Sequence, residues 1–470
     1  MKRNTFKYII IGLTILALLG LAILGYFIGI SPSKELKKEL EKRVLSYETD
    51  ITDSIEHIKT AEKFKAFLIN WADEKGVECR YDKEGNVIMH REASSLFTDT
   101  APTILVCSYD ISDLNSAVDP LTMAFSALKV NKEMGDLTVI ITSDEGRAFS
   151  GAKTLDPSYF PDNANVFTLS QGNKHMYSLN SGGSSSYMFT RSLSYEKPKG
   201  TKAYRINISG APGGFPDTRI SYYPNPVNEL GKLLAKFQGS SLIFDLAEIQ
   251  GGSNSNVYPT SATALITMDE DNVERFIAKM DTYIKNFTDE YGKDYPNVIV
   301  TYSEAEMPEN VISKSDANPL YSLLYTLNHG VYYKNEDGDV VSISSVNYFS
   351  TGDDRLQIGT SASSLTDSNL KEIDTAFETL SGLSEFTFEK TASSMFWSST
   401  ESQLSDIFAL AYKSFTGRAI EYVDSVPATL APIIAEKNPD IRIINITTNP
   451  DYVLQDAGSL VTLMTIPGNK

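Results

Sequence analysis

Three carboxylates, Asp110, Asp119 and Glu145, are the side chains of this sequence best suited to hydrolytic chemistry. A carboxylate can act as a general base or bind a divalent metal ion. Imidazole, the other common group in such sites, is scarce. The four histidines of the chain are His57, His90, His175 and His329.

Other catalytic centres have weaker support in the sequence. Ser108 lies beside Asp110, but a serine hydrolase needs a His or Lys base and an oxyanion hole. No His is close to Ser108 in the sequence, and the chain has neither a GxSxG elbow around it nor a P-loop. Cys79 and Cys107 are too few for a CxxC zinc site or a disulfide framework, and a single bridge between them stays open.

The segment TSDEGRAFSGAKTLDPS (142–158) resembles a loop of the aminoacyl-histidine dipeptidases that reads roughly DEETGMTGAKGLDPS. These enzymes are a branch of the di-zinc metallopeptidases that includes glutamate carboxypeptidase and the aminoacylases. In the family, the first Glu of the EE pair is the general base and the second binds zinc. The resemblance implies that Glu145 fills the base position, whereas Gly146 replaces the ligand.

The same resemblance extends to the other zinc-ligand positions, and this sequence retains one of those ligands. Asp119, in SAVDP, matches the Asp that bridges two zinc ions, and Asp110 survives as a relic of the catalytic site. The remaining His, Asp and His ligands are replaced by Ser108 in VCSYD, Ser170 in VFTLSQ and Leu454 in YVLQDAGS. Zinc in such sites prefers imidazole nitrogen and carboxylate oxygen. We therefore expect no zinc cofactor.

Two glycine-rich segments resemble substrate-binding motifs of the family. APGGFPD keeps Gly213 and Gly214 of a GGHSG motif, but Phe215 replaces the His that helps to stabilise the developing oxyanion. GGSNSNVYP resembles GGTARNAIP and keeps Asn256, whereas Ser255 replaces the Arg. The resemblance implies that Gly213, Gly214 and Asn256 belong to a substrate site, in which Asn256 contacts a peptide backbone.

Each retained residue also has a structural interpretation. Asp119 could cap the following helix, Asp110 could hydrogen-bond the strand-end loop, and Glu145 could be a solvated loop carboxylate. The glycine pairs could serve turns. His175 could replace a lost ligand, although a lone loop histidine is usually just exposed.

Residues 8–30, YIIIGLTILALLGLAILGYFIGI, form an uncharged apolar run that is longer than the ~20 residues needed to cross a bilayer. Lys2, Arg3 and Lys7 precede it, as in a signal anchor. A cleaved signal peptide would have a shorter apolar core of about 7–15 residues. We predict a single-pass anchor in the cell membrane, with a cytoplasmic N-terminus and an external globular body.

The composition suits a large acidic protein with real hydrophobic cores. The 470 residues are 41% apolar, and 42 basic against 60 acidic residues give a net charge of −18. This balance argues against nucleic acid as a partner, because phosphates select basic surfaces. The length suits two or three domains.

Local patterns predict the elements at the start of the globular part. After Ser31-Pro32, SKELKKELEKRVLSYE is typical of a charged stalk helix. A second helix is expected from about Thr60 to Gly76, because apolar residues recur there at i, i+3, i+4 and i+7. VECRYDKEGNVIMH predicts a hairpin around Glu84-Gly85.

The chain as a whole is predicted to be an α/β protein. TILVC (103–107), LTVIIT (137–142) and VFTL (166–169) suit buried strands of a largely parallel sheet. Further on, strands and helices alternate twice in a pattern typical of split-βαβ units. We predict a membrane anchor (1–30), a stalk helix (31–47), a catalytic-type α/β domain in two parts (48–185 and 391–470), and an α+β lid domain (186–390) between those parts.

We interpret the chain as a membrane-anchored dipeptidase homologue that has lost di-zinc activity and binds a peptide or protein in the cleft between body and lid. The first alternative is an active hydrolase with altered ligands, supported by Glu145, Asp119 and Asp110, for which zinc would be the cofactor. The second is a structural or assembly role, in which the anchor and stalk are the functional parts.

Overall fold

The computed structural model describes residues 34–143, 149–172, 174–240, 242–399 and 403–467. These residues form a body and a lid, each built on one large sheet. The predicted anchor at residues 8–30 lies outside the described residues. Within them, no helix combines the length and apolar character needed to cross a bilayer.

The body is a layered α/β domain. Its strands are β1 (Glu78–Tyr81), β2 (Val87–Arg91), β3 (Thr103–Tyr109), β4 (Leu137–Ser143), β5 (Asn165–Gln171), β6 (Met176–Ser178) and β20 (Arg442–Thr448). Its helices are α1 (Lys34–Ile55), α2 (Ala61–Lys75), α3 (Val118–Lys129), α4 (Ser150–Lys153), α9 (Gln403–Thr416), α10 (Ala431–Ala435) and α11 (Val453–Met464), with 3-10 turns at Ile111–Ala117 and Pro157–Tyr159.

The described strands of the body form a mixed sheet in the order β1-β2-β4-β3-β5-β20-β6. The central strands β4, β3, β5 and β20 are parallel, as predicted, whereas β1, β2 and β6 pair antiparallel with their neighbours. Strand β20 comes from the end of the chain and lies between β5 and β6, so the body is completed by residues that follow the lid.

Both faces of the body's sheet are covered by helices. In β3, Leu105 and Cys107 face one apolar layer, and Ile104 and Val106 face the other. Successive side chains of a strand point to opposite faces. The sequence of a strand that is covered on both faces is therefore apolar throughout, which explains the run TILVC.

The helix expected as a stalk at 31–47 is longer and packs on the body. Helix α1 runs over Lys34–Ile55 and lies against α3 and α11. Leu40, Tyr47 and Ile51 are buried along one side of it. The apolar residues between the charges give this helix an amphipathic pattern, so it contributes to the core.

The structure confirms the predicted second helix and the predicted hairpin. It also shows whether the two cysteines pair. Thr60 accepts a hydrogen bond from the Lys63 amide at the start of α2, and Gly76 ends that helix at φ 62°. Strands β1 and β2 form the predicted hairpin. Cys79 in β1 and Cys107 in β3 are free thiols, because β2 and β4 lie between their strands.

The lid is an α+β unit that spans the strands between Gly183 and Ser394. Short strands β7 (Asn180–Ser181) and β19 (Trp397–Ser398) pair where it joins the body. Its strands are β8 (Gly183–Ser192), β9 (Tyr195–Glu196), β10 (Lys202–Ser209), β11 (Asp245–Gly251), β12 (Ser261–Met268), β13 (Ile299–Ala305), β14 (Val311–Ile312), β15 (Gly330–Lys334), β16 (Val340–Thr351), β17 (Arg355–Ser364) and β18 (Thr387–Ser394). Its helices are α5 (Pro226–Gln238), α6 (Glu270–Tyr291), α7 (Lys314–Thr326) and α8 (Asp367–Leu383).

Nine of the described lid strands form one antiparallel sheet in the order β13-β10-β12-β11-β16-β17-β8-β18, with β15 beside β16, whereas β9 and β14 pair in a separate two-stranded sheet. The first four strands form one half with α5 and α6, and the last four form a second half with α7 and α8. Each half has the strand order of a split-βαβ unit. The halves join where β11 pairs with β16.

Candidate functional site

Three adjacent parallel strands of the body end at one edge of its sheet, and each carries a hydroxyl side chain there. Ser108 lies near the end of β3, Ser170 near the end of β5 and Thr447 near the end of β20. Ser170 and Thr447 face each other in register, and their hydroxyl oxygens lie 3.2 Å apart. Ligands of open α/β sheets bind at this end of the strands.

These hydroxyl groups line a cavity of about 140 Å³ between body and lid. This volume is close to the roughly 150 Å³ of an apolar cavity that holds benzene. A group the size of one side chain therefore fits. The body contributes Ser108, Ser170 and Thr447 to the wall, and the lid contributes Ser186, Phe215 and Asn256.

Asn256, predicted to bind substrate, lies in the lid wall of this cavity. Ser186 donates a short hydrogen bond to its side-chain oxygen. The backbone amide of Asn256 donates to the side chain of Asn254 at 2.8 Å. The amide group of Asn256 is thus held in a defined orientation at the cavity.

Gly213 and Gly214 shape the turn that carries Phe215. Their φ angles of 76° and 97° lie in the left-handed region, which favours glycine. The Gly213 amide donates to the Tyr223 hydroxyl at 2.9 Å, and the Gly214 carbonyl accepts from the Tyr258 amide at 2.7 Å. Neither glycine is among the described lining residues, whereas Phe215 is. These contacts favour the turn interpretation.

Asp119 is a buried residue of α3 and does not cap that helix. The N-cap position is Ala117, so Asp119 is the second residue of α3. The residue is 2% exposed. Burial, with a smaller contribution from Glu48 of α1, raises the pKa of Asp119 to about 7.

Asp110 is also buried, directly after β3. Its backbone carbonyl accepts a hydrogen bond from the Asp113 amide at 3.0 Å. Burial, and next the charge of Asp110, raises the pKa of Asp113 to about 6. Sequence reasoning did not single out Asp113. Neither Asp110 nor Asp119 is among the described residues that line the cavity.

Two positions of the resemblance, Glu145 and Gly146, lie outside the described residues. Leu454, in the position of the last His ligand, is part of α11. It is partly buried and packs against the body core. An aliphatic side chain in that position has no donor for a metal ion.

His175 binds a buried carboxylate and is neither an exposed loop residue nor part of the cavity wall. Its Nε2 lies 3.1 Å from Asp456, and its ring stacks on Tyr452 at 4.0 Å. Asp456 is fully buried in the first turn of α11 and also accepts from Tyr177 at 2.5 Å and Thr448 at 2.7 Å. Sequence reasoning did not identify Asp456. An acidic residue within the apolar run YVLQDAGSLVTLM could have indicated this buried carboxylate.

The donor set at these positions does not fit a pair of zinc ions. Ser108 and Ser170 offer neutral hydroxyl groups, and Asp119 supplies a single carboxyl group. Zinc binds thiolate, imidazole and carboxylate. Among the residues that the structure describes, no group of three or more His, Cys, Asp and Glu is arranged to hold a metal ion.

The fold and site define a class of two-domain, peptidase-like proteins in which a cavity lies between an α/β body and an inserted lid. Aminoacylhistidine dipeptidase from Vibrio alginolyticus has a similar solved structure, with a TM-score of 0.55 and 17% sequence identity over 86% of this chain and 92% of that chain. This likeness establishes the fold.

A sequence relative gives the family. The cytosol non-specific dipeptidase of Escherichia coli (strain K12) is 23% identical over 364 residues, which cover 68% of this chain and 73% of that protein. No protein-family model matches the chain. The family predicted from the sequence is confirmed: the chain is related to the Xaa-His and cytosol non-specific dipeptidases.

Proposed function

We propose that this protein is a membrane-anchored dipeptidase homologue without di-zinc chemistry that binds a peptide, or a peptide segment of another protein, between body and lid. The observation that supports the proposal best is the position of Ser108 and Ser170. Both replace family ligands, and both line the same cavity as Asn256.

The chemistry of the wall suits a peptide better than a cation. Hydroxyl and amide side chains both donate and accept hydrogen bonds, as peptide groups do. Ser108, Ser170, Thr447 and Asn256 thus offer partners for a peptide backbone. Phe215 replaces the oxyanion-stabilising His of the family and offers an apolar contact instead.

One charged group at the wall also suits the carboxylate end of a peptide. Lys174 and Asp217 both line the cavity. Asp217 is 3.1 Å from the Arg219 guanidinium, which offsets its charge. The ammonium group of Lys174 would therefore attract a free peptide carboxylate.

The membrane part of the proposal depends on the sequence alone. Residues 8–30 are apolar and uncharged, with Lys2, Arg3 and Lys7 before them. Such a segment is long enough to span a bilayer. The proposed arrangement is a single-pass protein of the cell membrane with its body outside the cytoplasm.

The alternative is a hydrolase with altered ligands. The raised pKa of Asp119, about 7, is its best support, because a general acid or base works most efficiently with a pKa near the working pH. In this version Glu145, Asp110 and Asp119 do the chemistry. Asp119 is not among the described cavity residues, so the binding proposal has the better support.

Calorimetric titration of the full chain in nonionic detergent tests the proposal. We expect Ala-His and other dipeptides to bind without turnover, and Asn256→Ala to weaken binding about tenfold through the loss of roughly 1.4 kcal/mol of hydrogen bonding. Asn318→Ala, at an exposed lid position, is the matched control and should bind as wild type does. Hydrolysis that Glu145→Gln abolishes would support the alternative and overturn the binding proposal.

A further inference from the structure

A basic groove lies on the body and is lined by the side chains of Arg43, His90, Arg91 and Lys129. It has a volume of about 540 Å³ and lies between α1, the end of α2, β2 and the end of α3. It shares no described residue with the cavity between body and lid. The groove is therefore a separate surface from the proposed peptide site.

The positive charge of the groove is only partly offset by carboxylates. Glu39 binds Arg43 at 2.8 Å, and Asp136 binds His90 at 2.8 Å. Glu78, 3.5 Å from His90, is a third acidic neighbour. Among the described residues, no carboxylate lies within 4.0 Å of the cationic atoms of Arg91 or Lys129. This concentration of cations contrasts with the net charge of −18 of the whole chain.

Arg91 and Lys129 are held in place by backbone carbonyl groups. The Arg91 guanidinium donates to Leu128 at 3.0 Å and to Val130 at 2.8 Å, at the end of α3. Lys129 donates to the carbonyl of Lys75, at the end of α2, at 2.6 Å. These bonds satisfy helix-terminal carbonyl groups. They fix the two side chains but leave both formal charges without a carboxylate partner.

The cations of the groove also act on one another. Burial, and next the charge of Arg43, lowers the pKa of Arg91, and the charge of Glu39 only partly opposes this. Burial, and next the charges of Arg43, Arg91 and Lys75, lowers the pKa of Lys129. Like charges disfavour each other's charged form. An anion between them would relieve this repulsion.

We propose that the groove binds a phosphate group. Arg and Lys are the side chains that bind phosphate oxygens most strongly, Arg through its planar fork and Lys as a point charge. Nothing in this proposal depends on the peptide-binding cavity.

The phosphate group has two possible sources, a soluble phosphate compound or the headgroup of an anionic lipid. Helix α1 begins at Lys34, shortly after the apolar run at 8–30, and supplies Arg43. Arg43 follows Lys34 by nine residues, which is about 14 Å along a helix. The groove therefore lies within reach of a membrane surface if the run is an anchor.

Thermal unfolding of the full chain in nonionic detergent tests the proposal with inorganic phosphate as the probe. At equal pH and ionic strength, we expect a higher Tm in sodium phosphate than in sodium chloride. Lys129→Gln should weaken the apparent phosphate affinity about tenfold, since it removes one charge-assisted hydrogen bond. Lys129→Arg should retain the response, and so should Lys293→Gln, an exposed position in the lid.

Nanodiscs distinguish the two sources. If a lipid headgroup fills the groove, phosphate raises the Tm in discs of phosphatidylcholine but not in discs that also contain phosphatidylglycerol. If the source is soluble, phosphate raises the Tm in both. The proposal is overturned if phosphate and chloride give the same Tm in detergent, or if Lys129→Gln responds to phosphate as wild type does.

Discussion

The hydroxyl oxygens of Ser170 and Thr447 lie 3.2 Å apart, at the ends of two adjacent parallel strands. Ser170 occupies the position of a zinc-binding Asp in the family resemblance. At the position that the resemblance assigns to a metal ligand, the structure has a neutral hydrogen-bonded pair, which needs no cation to stabilise it.

Replacing Ser170 by Ala tests the role of this pair. We expect a small loss of stability, about 1 kcal/mol, because one hydrogen bond at a partly exposed site is removed. Dipeptide affinity should fall by about fivefold, which calorimetric titration measures. Ser158→Ala, at an exposed position of the body, is the control for both quantities. Unchanged dipeptide affinity in Ser170→Ala would remove Ser170 from the binding site.

Asp456 should be important for stability. Its buried carboxylate accepts hydrogen bonds from Tyr177 and Thr448 and lies 3.1 Å from His175. In Asp456→Asn, the amide nitrogen faces a donor and the charge is lost, so we expect the free energy of unfolding to fall by about 3 kcal/mol. Urea denaturation measures this change. Asp451→Asn, exposed in the turn before α11, should be near neutral, and equal effects of both substitutions would contradict the account.

The raised pKa of Asp119 predicts that the folded protein loses stability at higher pH. Its pKa is raised from 3.8 to about 7 in the folded protein, so the folded state binds a proton that the unfolded state releases. Stability therefore falls as the pH rises from about 4 to 7, by up to about 4 kcal/mol in total. Asp119→Asn should remove this dependence, and Asp99→Asn, an exposed control, should not. Urea midpoints at pH 5 and 8 measure it, and a wild type more stable at pH 8 through Asp119 would contradict the buried neutral carboxyl group.

The lowered pKa of His329 predicts that the lid loses stability in acid. Its Nδ1 accepts a hydrogen bond from the Val346 amide at 3.2 Å, and burial, with a contribution from Lys232, lowers its pKa to about 3. Since the folded pKa lies below the unfolded value of about 6.5, stability is lost as the pH falls below 6.5, by up to about 2 kcal/mol at pH 5. His329→Asn keeps an acceptor without titrating and should lose less. Equal acid sensitivity of the two proteins in urea would refute this origin.

Local sequence signals predicted much of the body. Thr60 and Gly76 bound α2 as capping rules require, and TILVC became the buried central strand β3. The length and packing of α1 were missed because the charges of its first turns concealed the apolar side, which continues to Ile55. The antiparallel pairing of strand β6 with β20 also left no clear signal in the apolar runs.

Contacts between distant parts of the chain could not be read from the sequence. His175 meets Asp456 across 281 positions, so neither residue indicates the other. The two halves of the lid join through β11 and β16, which are far apart in the chain. Family resemblance located Ser108, Ser170 and Asn256, but only the fold shows that they line one cavity, while Asp110 and Asp119 are buried elsewhere.

Metal analysis of the purified full chain tests the central claim most directly. After expression in zinc-supplemented medium and exhaustive buffer exchange, we expect far less than one zinc ion per chain, because Ser108, Ser170 and Leu454 offer no strong zinc donor. About two tightly bound zinc ions per chain, the number in a co-catalytic site, would contradict the account.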